Sequence, residues 1–208
     1  MAEVYCVRCR TPFLNSHPLD EDGVCLACRV GANRFDAAYS FGAYEGTLRE
    51  LIHLFKYDGI RTLDRPLGRM LLRAFPRDQR FDAIVPMPLH WRRRMDRGFN
   101  QSALLAAVLS KGTGLPVEGL VRRTRPTETQ AGLTGRERRA NVRAAFEITQ
   151  PGRVAGRRLL LIDDVITTGA TLNACAAAFK AAGAAHLSVL TLARADRRNW
   201  ATFTAGAN

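Results

Sequence analysis

The sequence predicts an α/β fold, a parallel sheet covered by helices on both faces, with a small cysteine-rich module ahead of it. Three observations predict it. Beyond Asn33, apolar runs of strand length alternate with longer stretches of helical periodicity, the order that builds a parallel sheet. In the run Arg158 to Ile162 the apolar residues are consecutive rather than alternate, as in a strand buried on both sides. Four of the five cysteines stand as two C-x2-C pairs at the N-terminal end.

A chain of 208 residues accommodates one α/β domain of roughly 150 residues plus an appendage. Its hydrophobic fraction of 47% is enough for a sizeable core. The expected division is a metal-binding module over residues 1–34, the α/β domain over 35–195 and a C-terminal tail over 196–208.

In the module, Cys6-x2-Cys9 and Cys25-x2-Cys28 are separated by fifteen residues, a spacing that matches four-thiolate zinc sites. Each C-x2-C turn aims two sulfurs at one centre, and two such turns complete a tetrahedral shell. The loop between them is polar and rich in turn residues, so a metal has to supply the folding energy. Four thiolates leave no open position for water, which makes the expected zinc structural. The rival reading is two disulfides, which a reducing compartment disfavours. No basic stretch followed by an apolar one opens the chain, and no run approaches the ~18 apolar residues of a membrane span. A cytoplasmic location is therefore expected. His17 reads as a loop residue, and Cys175 as a small buried hydrophobe.

The α/β domain opens with a strand at Ala37–Tyr44. Thr47-Leu48-Arg49-Glu50 fits a capping box. Leu48, Leu51, Ile52 and Phe55 then form one face of an amphipathic helix. A second helix is expected over Pro66–Phe75, and a short buried strand at Ala83–Val85 that Pro86 and Pro88 stop. Gln101–Leu109 is helical, and Val117–Val121 reads as a further strand. The arginine-rich stretch after it reads as a long loop or extended hairpin. Next come the strand Arg158–Ile162, a helix over Ala170–Ala182 ended by Gly183, and a last strand at Leu187–Leu192.

Lys and Arg number 31 against 19 Asp and Glu, a formal net charge of +12. Such an excess attracts nucleic acid or phosphorylated small molecules. The segments His90–Gln101 and Val121–Arg143 carry net charges of +3 and +5, much of the excess.

The chemistry concentrates in Leu159–Thr171, which reads L-L-L-I-D-D-V-I-T-T-G-A-T. A buried strand runs into two acids, then a loop of small residues, then a helix. Ligands of open α/β sheets sit beyond the carboxyl ends of the strands. Thr167, Thr168, Gly169, Ala170 and Thr171 offer backbone N–H groups and three hydroxyls at a helix N-terminus, a ready phosphate cradle. Asp163 and Asp164 can accept hydrogen bonds from ribose 2′- and 3′-hydroxyls. Phosphate behind and carboxylates in front describe a ribose 5-phosphate. Paired acids after a strand also bind magnesium in phosphatases and receiver domains, and single acids cap helices, but neither case accounts for T-T-G-A-T.

This run resembles the PRPP (5-phosphoribosyl 1-pyrophosphate) signature of type I phosphoribosyltransferases. The resemblance extends over nearly the whole chain to the ComF competence-protein family, also called GntX-like. Its blocks are the two cysteine pairs, Lys56-Tyr57-x-Gly59, Val85-Pro86-Met87-Pro88-Leu89, Arg97-Gly98-Phe99-Asn100-Gln101, and then Gln130, Leu133, Arg138 and Asn141 ahead of the PRPP run. On position alone Lys56 is an ordinary surface lysine. The resemblance implies a pyrophosphate loop at Met87, Pro88 and Leu89, with free amides at Met87 and Leu89. Arg97, Asn100, Gln101, Arg125 and Arg138 are the expected anion contacts, on a helix start and a loop that closes over substrate.

Two functions follow as expectations. One is an enzyme that binds PRPP with Mg²⁺ and transfers its ribosyl group to a nitrogen nucleophile. The other is a non-catalytic component that uses the fold to recognise phosphate on single-stranded DNA or docks a partner. The resemblance implies natural transformation as the setting, with a competence helicase and a DNA-loading protein as partners. An enzyme also needs a base-recognition hood, for which residues 1–50 are the candidate.

Overall fold

The computed structural model describes residues 4–9, 12–13, 19–31, 33–89, 95, 98–124 and 145–195. Its centre is a four-stranded, all-parallel sheet of β3 (Ala37–Ala43), β8 (His186–Arg194), β7 (Arg158–Ile166) and β4 (Ala83–Pro86), in that spatial order. The alternation predicted from sequence produces it, because parallel neighbours need crossover helices.

The consecutive leucines of β7 are apolar because both faces are covered. Leu159 and Leu161 point into one cluster with Val85, Leu187, Val189 and the helix α5 (Ala170–Ala181), which contributes Leu172, Cys175 and Phe179. Leu160 and Ile162 point into the other, with Ile84, Leu190 and Leu192. That second face is roofed by α2 (Gly46–Tyr57), α3 (Asp64–Ala74) and α4 (Gln101–Thr113), through Ile52 and Phe55, Leu67 and Leu71, and Leu105 and Leu109. All these side chains are essentially inaccessible to water, each contributing about 1.5–3 kcal/mol of transfer free energy.

At the N-terminal end, β1 (Val4–Tyr5) pairs antiparallel with β2 (Pro12–Phe13), and α1 (Leu26–Arg29) starts directly after Cys25. The four cysteines are buried in the α5-side cluster. Arg194 at the end of β8 donates to the Cys9 carbonyl at 2.7 Å, and the Arg34 N–H to Asn173 Oδ1 on α5 at 2.8 Å. The module is thus fastened to the α/β layer by polar contacts as well as apolar ones.

Three expectations change. The capping box is absent: α2 begins at Gly46, whose φ of +49° turns the chain, so Thr47 falls inside the first turn, and Glu45 caps with no side-chain bond. Val117–Val121 is reduced to a single bridge, Val117 to Ile84. The strand starts later, as β5 (Val121–Arg123), antiparallel to β6 (Phe146–Ile148), and this pair forms the base of the expected hairpin. The body of that segment, residues 125–144, lies outside the described residues. Finally, β7 continues four residues past Ile162, because β8 keeps pairing with it as far as Ile166 and Arg194. Asp163 and Asp164 therefore belong to a strand and inherit its rigidity.

Among the described residues, no helix is long and apolar enough to cross a membrane.

Candidate functional site

A cleft of about 460 Å³ opens at the carboxyl ends of β4 and β7. It is lined by Met87–Leu89 after β4, by the stretch Asp163–Leu172, and by Lys56, Tyr57 and Arg123. The two expected ligand loops, distant in sequence, are brought together because β4 and β7 are direct neighbours, with Pro86 opposite Ile162.

The two acids point to different supports. Asp163 Oδ1 accepts from the Ser102 hydroxyl at 3.2 Å and from the Asp164 N–H at 2.9 Å. Ser102 is held in turn at the start of α4, its N–H donating to the Asn100 carboxamide oxygen at 3.1 Å. Desolvation and the neighbouring Asp164 charge raise the Asp163 pKa to about 7, against the pull of Lys56 and the two hydrogen bonds. Asp164 is only 8% exposed, and its Oδ1 lies 2.7 Å from Lys56 Nζ. That lysine sits in the last turn of α2, at 16% side-chain exposure.

Behind the acids, Gly169 takes φ +75° at the N-cap of α5, a conformation that favours glycine. Thr167 and Thr168 are exposed at the mouth, and Thr168 Oγ1 accepts from the Ala170 N–H at 3.3 Å. The twelve-residue α5 directs its positive dipole end at this loop.

Three other expectations fare differently. The Met87 amide is not free: it donates to the Ile162 carbonyl at 2.9 Å, extending the β4–β7 ladder by one residue. Asn100 is a helix cap, and its Nδ2 donates to the Met87 carbonyl at 3.0 Å, which fixes the loop from behind. Gln101 is 1% exposed and absent from the cleft lining, and its Oε1 and Nε2 have no partner among the described residues. Arg97, Arg125 and Arg138 lie outside the described residues, as do His17 and His90.

Sequence reasoning passed over Lys56 and Arg123 as site residues. Position alone makes Lys56 a surface lysine, and only the Lys56-Tyr57-x-Gly59 block signalled otherwise. Arg123 was one of many arginines; β5 places it in the cleft, its guanidinium 5.5 Å from the Phe146 ring centre.

The four cysteines form the second site. Their sulfurs lie within 4.8 Å of one another, with Cys6–Cys28 at 3.9 Å and Cys9–Cys25 at 3.6 Å. A tetrahedral zinc with Zn–S of about 2.3 Å sets its sulfurs about 3.8 Å apart, so the cluster fits. The Cys9 and Cys25 N–H groups donate to Cys6 Sγ, and Asn33 Nδ2 donates to Cys28 Sγ at 3.1 Å. Such donors stabilise thiolates. Burial pushes the Cys25 thiol up to about 11 and raises Cys28 as well. At Cys6 the backbone donors outweigh desolvation and bring it down to about 7.

The family model for the phosphoribosyl transferase domain matches residues 99–202. Competence protein F of Haemophilus influenzae is 35% identical over 179 residues, covering 82% of this chain and 78% of that protein. The DNA utilization protein YhgH of Escherichia coli is 34% identical over 196 residues, covering 91% and 83%. Competence protein ComFC of Bacillus subtilis is 29% identical over 212 residues, covering 92% and 85%. Among solved structures, a B. subtilis glutamine PRPP amidotransferase matches 63% of this chain and 26% of that one, at 22% identity and a TM-score of 0.46. With its parallel sheet, its cleft and its four-cysteine cluster, the chain belongs to the ComF-like family of type I phosphoribosyl transferase domain proteins.

Proposed function

We propose that the cleft binds PRPP together with Mg²⁺ and that the chain acts in the handling of single-stranded DNA during natural competence. The observation that carries this reading is the continuity of Asp163–Asp164 on β7 with the Thr167–Thr171 loop at the N-terminus of α5, in one cleft with Met87–Leu89. The 5-phosphate is held by amides and hydroxyls of residues 167–171, where the helix dipole favours an anion. The acids accept from the ribose hydroxyls. Arg123 and the loop after Pro86 face the pyrophosphate, and Arg97, Arg125 and Arg138 are the further arginines assigned to grip it.

The donor set suits Mg²⁺, a hard cation that keeps several waters and is held by one or two carboxylates plus substrate oxygens. Asp163 and Asp164 are the residues that would hold it, and it would neutralise charge on the departing pyrophosphate. Displacement at the ribose C1 builds positive charge on the sugar, which two carboxylates at its hydroxyl face stabilise. Zinc on Cys6, Cys9, Cys25 and Cys28 has a structural role.

The competence setting rests on the names of the relatives. A competence helicase and a DNA-loading protein are the expected partners. The net charge of +12 also supports a second reading, in which the fold recognises phosphate without catalysis. Amide hydrogen exchange tests the site itself. Adding PRPP with Mg²⁺ slows exchange at Thr167–Thr171, and unchanged exchange there would count against the assignment.

A further inference from the structure

Arg61, Arg65, Arg69 and Arg73 recur at every fourth position. The first lies in the short 3-10 turn Arg61–Leu63, which runs directly into α3 carrying the other three. At 100° per residue, a step of four advances only 40° around the axis, so the four fall in one slowly winding stripe. Leu67, Gly68 and Leu71 mark the buried face of α3. The stripe lies on the opposite side, and all four arginines are exposed.

Several cations elsewhere on the protein have acidic partners: Arg122 pairs with Glu147, Arg153 and Arg157 with Glu118, Lys180 with Asp36 and Arg29 with Asp20. None of the four stripe arginines makes an ion pair among the described residues, and Asp64 is the single acid between positions 61 and 73. A row of like charges on one helix face, without an ion pair among the described residues, is unfavourable for the helix itself. An open groove of about 550 Å³ runs beside it, lined by Arg61, Thr62, Asp64, Arg65, Pro66 and Arg69.

The row is also rigidly mounted. A Cβ on Gly68 would come within 2.4 Å of Val108 Cγ1, so α3 and α4 are in closest contact there. Arg61 donates to the Gly98 carbonyl at 3.1 Å and lies 5.0 Å from the Phe99 ring centre. Asn100, next in the chain, holds the Met87 loop of the cleft. Arg61 thus abuts the segment that supports the cleft loop, outside the cleft lining itself.

We infer that the arginine row on α3 is a docking track for the sugar–phosphate backbone of a single strand of nucleic acid. The backbone positions of Arg65, Arg69 and Arg73 step about 6 Å apart along the α3 axis, comparable to the distance between consecutive phosphates of an extended strand. Arginine grips each phosphate with two parallel N–H bonds. The face carries no aromatic side chain between Arg61 and Arg73, so the track reads phosphate spacing and not base sequence. It is independent of the phosphoribosyl site, because none of its residues lines that cleft.

The test is fluorescence anisotropy of a labelled oligo-dT strand against the full chain, the triple variant Arg65→Ala/Arg69→Ala/Arg73→Ala, and a control that removes equal charge elsewhere, Arg29→Ala/Arg49→Ala/Lys111→Ala. The triple variant is expected to lose at least tenfold in affinity. Its log K against log salt slope should become shallower by about 2, at about 0.7 per phosphate contact, while the control stays near wild type. Arg→Lys at the three positions should restore most of the slope. Equal losses in triple variant and control, no loss in either, or no binding by the wild-type chain would each overturn the track. Calorimetric binding of PRPP by the same triple variant keeps a failure of the track distinct from a failure of the cleft.

Discussion

Lys56 Nζ lies 2.7 Å from Asp164 Oδ1, joining the last turn of α2 to the carboxyl end of β7. Both partners are largely shielded, at 16% and 11% side-chain exposure. Each therefore depends on the other for its counter-charge.

A double-mutant cycle reads that dependence. Lys56→Met and Asp164→Asn each lower stability in urea unfolding, whereas the double variant loses less than the sum. The expected coupling is roughly 1–3 kcal/mol. Strict additivity would mean that the pair contributes nothing.

Asp163 gives the protein a pH signature. Its folded pKa is raised to about 7, mainly by desolvation and then by Asp164. The folded state then binds the proton more tightly than the unfolded state does, so this group's stabilisation is full below the ordinary carboxylate range and is lost as pH rises through about 7. Asp163→Asn, which keeps an acceptor for Ser102, should be more stable than wild type at pH 8 and lose that advantage at pH 4. Urea midpoints at the two pH values measure it. An advantage that does not depend on pH would contradict the shift.

The cysteine cluster should carry one zinc per chain. Elemental analysis of reduced protein is expected to show it, and Cys25→Ser to lower the melting temperature and sharply reduce zinc content. Because Arg194 and Asn173 tie the module to β8 and α5, the variant should also be cut faster by protease near residues 25–34. Metal-free, fully stable protein would contradict this.

Gly68→Ala is expected to destabilise by about 1–3 kcal/mol, because the added methyl meets Val108 and cannot be absorbed without shifting α4. Adding Val108→Ala should recover part of the loss. Thermal unfolding of both variants checks it.

The sequence made the sheet legible through Leu159–Ile162, whose unbroken apolarity has one simple cause, cover on both faces. The Thr167–Thr171 loop was equally legible, since strand, acids, small residues and helix are contiguous. Lys56 was not, because its fate depends on where the end of α2 lands on β7, a relationship over a hundred residues long. The Met87 amide was misjudged for a similar reason: the two prolines around it looked like a stop, yet β4 pairs one residue further. Gln101 looked like a ligand from its place at a helix start, and the packing of α4 buried it instead. The order of Arg61–Arg73 is hidden in the sequence among the denser charge of segments 90–101 and 121–143, and appears only with α3 as a helix that buries one face.

The proposed phosphoribosyl site makes PRPP binding depend on Asp163 and Asp164, and calorimetric titration of PRPP with Mg²⁺ measures that dependence. Wild-type protein is expected to bind in the micromolar range, and a folded Asp163→Asn/Asp164→Asn variant to show no heat. Absence of binding by the wild type at millimolar PRPP, or equal binding by the variant, would contradict it.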